Sequence, residues 1–257
     1  MGRSTTFMGC LLAGAVASPG SAAGGEPPPV DRFLLAINHD RAAGKLDALA
    51  EEGYDLTAVR SRSDDALGLA AQSGNAAAVD YVADAYVKNG LSLDHSRWSD
   101  GKFPERTPLE IATRRMSPRC VEILVTRGAD PRVHSEDRGS VLYHMAIFNV
   151  HDGKPDAKTK EMIALLVDAG ADLSAPDKDG LSAFDVAVQR GSLTFLRSLP
   201  KKVRDVAWKR AGSKARLLEL ARGGTSHYLE RAGDPGFARR RLKAIEALIE
   251  ENAADGG

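Results

Sequence analysis

Cysteine is nearly absent from this chain, aromatic side chains are few, net charge is zero, and no apolar run is long. The cysteines are Cys10 and Cys120. Cys10 lies in a leader-like segment, so a processed chain keeps Cys120 alone and an internal disulfide is excluded. Cys120 stands beside Val121, Ile123 and Leu124 after a Ser117-Pro118 helix start, the setting of a buried structural thiol. Aromatics make up 5% of the 257 residues, and the core must therefore be built from Leu, Ala, Val and Ile in thin seams. The apolar run that begins near Phe7 is too short to cross a bilayer, which takes about 20 residues.

Catalytic and metal-binding signatures are also missing. There is no H-E-x-x-H, no G-x-S-x-G and no phosphate-binding glycine loop. His134, His144 and His151 lack regular ligand spacing. Asp177-Lys178-Asp179-Gly180 opens like a calcium loop, but Val188 stands where the twelfth-position Glu belongs. Ser198-Leu199-Pro200-Lys201 and Ser99-Asp100-Gly101-Lys102 match S-x-x-K without the S-D-N and K-T-G elements that it needs. A chain without enzymatic chemistry, cofactor or metal is the expectation.

What the chain does contain is a recurring signal, clearest over residues 170–187 (GADLSAPDKDGLSAFDVA). Gly170 follows the apolar run from Met162 to Val167 and is placed for a left-handed helix cap. Asp177-Lys178-Asp179-Gly180 supplies turn-forming side chains. Ser182 with Asp185 three residues later forms a capping-box pattern, and Phe184 and Ala187 share one helical face. The helix-end part recurs at Gly53-Tyr54-Asp55, Gly90-Leu91-Ser92 and Gly128-Ala129-Asp130. Helix starts end on Ala36, Ala70, Ala112, Ala146 and Ala187, at intervals of 34, 42, 34 and 41 residues. Phe33, Leu67, Tyr143 and Phe184 stand at the packing positions before four of these alanines. Leu165, in the apolar run of a second helix, is expected to be buried.

Thr107-Pro108-Leu109-Glu110-Ile111-Ala112 resembles the ankyrin helix-start motif Thr-Pro-Leu-His-x-Ala. Thr107 suits the cap, Pro108 the first helical position, and Glu110 can complete a capping box. With a period near 33, the chain resembles the ankyrin-repeat family over about residues 31–199. The resemblance implies an all-α solenoid of helix pairs joined by β-hairpin loops, with about five repeats. The motif histidine survives only as His144; Leu34, Gly68, Glu110 and Asp185 replace it elsewhere. The long intervals mark two insertions, at 91–105 and 148–158, which such a fold expels as loops.

The first insertion carries Arg97, Trp98, Phe103 and Arg106 in polar, turn-rich sequence. Interface hot spots favour Trp, Tyr and Arg, so this cluster, together with His134 and Arg138, is the expected partner-binding set. The other reading folds Trp98 back onto its own hairpin as a local staple.

Arg3, the apolar run and the small residues Ala15-Val16-Ala17 or Ser21-Ala22-Ala23 outline a signal peptide over 1–23. Export to the periplasm or medium, in an ankyrin-repeat protein of the exported bacterial type, is the expectation. A lipoprotein through Cys10 fits poorly, because most of the apolar run follows the cysteine. Residues 24–30 form a Gly/Pro linker. Beyond 200 the repeat phase fades, and 203–222 and 238–251 are predicted as helices capping the array. Between 200 and 243 thirteen Lys/Arg face four Asp/Glu. That excess fits either an acidic or anionic surface partner, or a solvated cap balanced by Glu246, Glu250 and Glu251. The leading function is a monomeric, non-enzymatic module binding a protein partner, with neither nucleic acid nor a transmembrane segment involved. The alternatives are an effector or enzyme active in 200–257, and a peripheral binder of anionic surfaces.

Overall fold

Among the described residues, ten helices alternate as first and second members of five successive pairs, each pair leaning on the next. The structure is a computed structural model describing residues 25–61, 64–94, 106–133, 139–148, 156–231 and 235–252; side chains from 225 to 235 lie outside that description. The first helices of the pairs are α1 (Val30–Ile37), α3 (Ala66–Ser73), α5 (Pro108–Arg114), α7 (Tyr143–Phe148) and α9 (Ala183–Arg190). The second helices are α2 (Ala42–Glu51), α4 (Ala76–Lys88), α6 (Pro118–Thr126), α8 (Ala157–Asp168) and α10 (Leu193–Ser198). Each first helix packs on the next first helix, and each second on the next second, so the core is one stripe along the array.

The five motif alanines, Ala36, Ala70, Ala112, Ala146 and Ala187, are all buried in that stripe. A small side chain at this position lets neighbouring first helices approach closely. Phe33, Leu67 and Phe184 are buried beside them, whereas Tyr143 is only half-buried. Leu165 departs from expectation too. On α8 the residues turned inward are Thr159, Met162, Ile163 and Leu166, which leaves Leu165 half-buried on the flank of the helix. Leu35 of α1 is 74% exposed.

One cap geometry ends four of the second helices. Gly53, Gly90, Gly128 and Gly170 adopt φ of +91, +67, +103 and +100°, a region that costs residues bearing a Cβ. In the last of these, the Gly170 N–H donates to the Val167 carbonyl (3.0 Å) and the Ala171 N–H to Leu166 (2.9 Å), satisfying the orphan carbonyls of α8. The acid or hydroxyl two residues after each glycine then fixes the exit. Asp55, Ser92, Asp130 and Asp172 each accept from the backbone N–H two residues on, at 2.9, 3.1, 2.9 and 2.8 Å.

The helix starts are capped as the sequence requires. Thr107 with Glu110, and Ser182 with Asp185, both complete reciprocal capping boxes. Between helix end and helix start, the expected hairpins are reduced to isolated antiparallel bridges, Arg60 with Asp65 and Pro176 with Ser182, and no longer strand occurs among the described residues. At the second bridge the Asp177 carboxylate accepts from the N–H groups of Asp179 and Leu181 at 2.9 Å each, so those four residues are spent on the turn.

The tail packs on α9, the last of the first helices of the array. Where one helix was expected over 203–222, Gly212 at φ +87° breaks the chain into α11 (Lys201–Arg210) and α12 (Lys214–Arg231). Helix α12 packs on α9, the place of a sixth first helix, and α13 (Pro235–Asn252) packs on α12. Leu217, Ala221, Gly224, Ala238, Ile245 and Ile249 are buried among the described residues of this last pair. Arg241 of α13 donates to the carbonyls of Arg190 (2.6 Å) and Gly191 (3.2 Å), a cation at the C-terminal end of α9. The short helix α11 therefore stands where a hairpin would join the fifth and sixth pairs.

Candidate interaction surface

Bonds between neighbouring repeats hold the array in register at both of its edges. The Asn75 side chain caps α4 and donates to the His39 carbonyl of the preceding pair at 2.9 Å. The Asp94 carboxylate accepts from the Asp130 N–H at 2.9 Å. Arg127 reaches back from the end of α6 to Asp80 (2.7 Å) and Asp84 (2.5 Å) on α4. At the far end Arg210 meets the Ser174 hydroxyl at 3.1 Å. The first, second and last of these links join residues 36 positions apart. Arg210 thus takes the role that the next repeat's hairpin base plays elsewhere.

Of the six residues expected to bind a partner, Arg97, Trp98, Phe103, His134 and Arg138 lie outside the described residues. Arg106 is described, half-buried immediately before the capped start of α5. The insertion connects the end of α4 to the start of α5 in the chain. The second insertion joins α7 to α8 within one pair, and its residues 149–155 also lie outside the description.

The feature that sequence reasoning missed is a cavity of about 670 Å³ between α11 and the stretch joining α8 to α9. Leu173, Phe184, Val203 and Val206 supply much of its apolar wall. Asp172, Asp185, Lys202, Arg210 and Arg216 supply its charges. Trp208 anchors α11 by meeting Phe184 edge to face, with 4.8 Å between ring centroids. A signal existed in the sequence: Val203, Val206 and Ala207 repeat at helical spacing on a strongly basic segment. The partner wall, 36 or so residues earlier, carried no mark tying it to them.

Asp185 sits at one end of this cavity, caps α9 and takes the Arg216 guanidinium at 2.6 Å. Burial pushes its carboxyl upward, but the Arg216 and Ser182 hydrogen bonds outweigh that and leave it below the usual carboxylate value. Burial also raises the Cys120 thiol, partly countered by Ser117, so this residue stays a neutral packing group. Four of the tail's cations are in ion pairs among the described residues. Lys214 pairs with Glu250, Arg222 with Glu246, Arg216 with Asp185 and Lys201 with Asp205.

Among curated proteins the chain is similar to inversin from dog (Canis lupus familiaris), at 29% identity over 136 residues. Human (Homo sapiens) and mouse (Mus musculus) inversins are 28% identical over the same length. The similar segment is 52% of this chain and 11% of each inversin, so the chain matches only a small part of those proteins. No family model matches the chain. Inversin is an ankyrin-repeat protein, and the similarity supports an ankyrin-repeat family for this array of helix pairs.

Proposed function

We propose that this chain is a non-enzymatic protein-binding module, exported from the cytoplasm, that acts as a monomer through its loop edge and first-helix face. The observation that carries the reading is the placement of the 95–105 insertion. It joins α4 to α5, and the start of α5 is capped by Thr107 and Glu110 without it. Its Trp98 and Phe103 are large apolar residues in polar sequence, and Trp is a residue type that interface hot spots favour. The support from similarity is to an ankyrin-repeat protein, and fold alone does not dictate function.

Ion pairs already engage four of the tail's thirteen cations, which reduces the charge it could offer an anionic surface. The packing of α12 on α9 weighs against an independent catalytic tail, because its apolar face is used as the end of the array.

The test is co-purification of the native protein from its own compartment, with bound species identified by mass spectrometry, followed by Trp98→Ala. The substitution is expected to weaken the captured partner by at least about 2 kcal/mol, roughly thirtyfold, with little change in thermal midpoint. Lost stability with affinity intact would remove Trp98 from the interface and make it a local staple. An intact mass that retains residues 1–23 in a cytosolic fraction would overturn export.

A further inference from the structure

The cavity beneath α11 is open, amphipathic and incompletely neutralised. Its apolar wall includes Val206, one of the few large apolar side chains left well exposed among the described residues, at 49%. Val203 beside it is only half-buried. Leaving apolar area exposed costs roughly 25 cal/mol per Å², and a ligand chain lying along this wall would recover that. The volume falls within the range of about 300–1,000 Å³ typical of small-molecule sites.

The charges define the head group. Lys202, Arg210 and Arg216 face two carboxylates, Asp172 and Asp185, so one positive charge is left over. Asp185 is committed to Arg216 and to the cap of α9. The Asp172 carboxylate accepts from the N–H and hydroxyl of Ser174. Arg210, by contrast, meets only the neutral Ser174 hydroxyl, and Lys202 has no ion-pair partner among the described residues. A guanidinium with free N–H groups beside an apolar wall matches a single carboxylate, which it can bind through two parallel hydrogen bonds.

We propose that this cavity binds a small amphipathic carboxylate, with its apolar chain along Leu173, Phe184, Val203 and Val206 and its head group on Arg210. Helix α11 is the chain-specific part of the site, since it replaces a hairpin. The site is independent of the protein-binding surface at the 95–105 insertion.

The test is calorimetric titration of the full chain with dodecanoate below its micellar range. One-to-one binding with Kd under about 100 μM is expected. Dodecanol, lacking the charge, should bind at least tenfold more weakly, and acetate, lacking the chain, should not register. Arg210→Gln and Val206→Asp should each weaken dodecanoate by at least about tenfold. Both positions are solvent-facing, and an unchanged thermal midpoint verifies that the variants fold. Arg239→Gln, on the exposed face of α13, should leave the affinity as it is. Failure to saturate at millimolar dodecanoate, equal affinity for dodecylammonium, or unaltered binding by Arg210→Gln would each overturn the proposal.

Discussion

Phe184 of α9 and Trp208 of α11 meet edge to face, with ring centroids 4.8 Å apart and planes at 86°. Trp208 is 4% exposed, and it and Ala207 are the buried residues of α11. Val203 and Arg204 are half-buried, and the Arg210–Ser174 hydrogen bond joins this ring contact in holding the segment between the fifth pair and α12.

Trp208→Ala should therefore release α11. Truncating a buried Trp costs about 3–5 kcal/mol where the surroundings cannot collapse. Because α11 lies at the edge of the stripe, the loss is expected first as faster amide exchange over residues 201–210, with exchange in α3 to α6 unchanged. Parental exchange in α11 would show that the helix is held some other way.

On α8 the structure separates two adjacent leucines. Leu166→Ala should lower stability by about 2–4 kcal/mol, as for a fully buried leucine. Leu165→Ala, on the half-buried flank, should cost less than half as much. Urea unfolding of both variants decides it, and equal midpoints would contradict the assigned helix rotation.

Asp185 gives a pH-dependent prediction. Its folded carboxyl titrates below the unfolded value of 3.8, so its stabilisation is present above that value and disappears as pH falls through the lower folded value. Asp185→Asn should cost about 1–3 kcal/mol at pH 7, through the lost charge on the Arg216 pair. Below pH 3.8 the gap between parent and variant should narrow, and it should close once pH passes the lower folded value, where the parent carboxyl is protonated as well. A gap that stays constant down to pH 2 would show that the ion pair contributes nothing.

Gly223 and Gly224 of α12 should respond with opposite signs. A Cβ on Gly223 would meet nothing, so Gly223→Ala should stabilise by up to about 1 kcal/mol through helix propensity alone. A Cβ on Gly224 would collide with the backbone carbonyl of Gln189 on α9, which cannot swing aside. Gly224→Ala should destabilise by about 1–3 kcal/mol and loosen the docking of α12. Thermal melts of the two variants displaced in the same direction would refute the close crossing of α9 and α12.

The repeat architecture was legible because its signals are local. Thr107 and Glu110 lie three residues apart, as do Ser182 and Asp185, and each pair makes its capping box within one helical turn. Gly170, Ala171 and Asp172 close a helix end with bonds that reach back no more than five residues. Such features form wherever the chain places the right side chains at the right offset, whatever packs around them.

What the sequence determined by itself is thus the set of helix pairs, their caps and the buried alanine face, since these depend on backbone preference and short-range hydrogen bonding. Only the tertiary structure decided which leucine of α8 turns inward, which of two neighbouring glycines has no room for a Cβ, and that the basic tail docks on α9 through α12. The cavity belongs to that second group as well. Its walls come from residues 167–185 on one side and 202–216 on the other, and nothing in either stretch specifies the other until α12 docks on α9. Packing between distant segments depends on volume and shape summed over many side chains, and a linear pattern of residue types does not encode that sum.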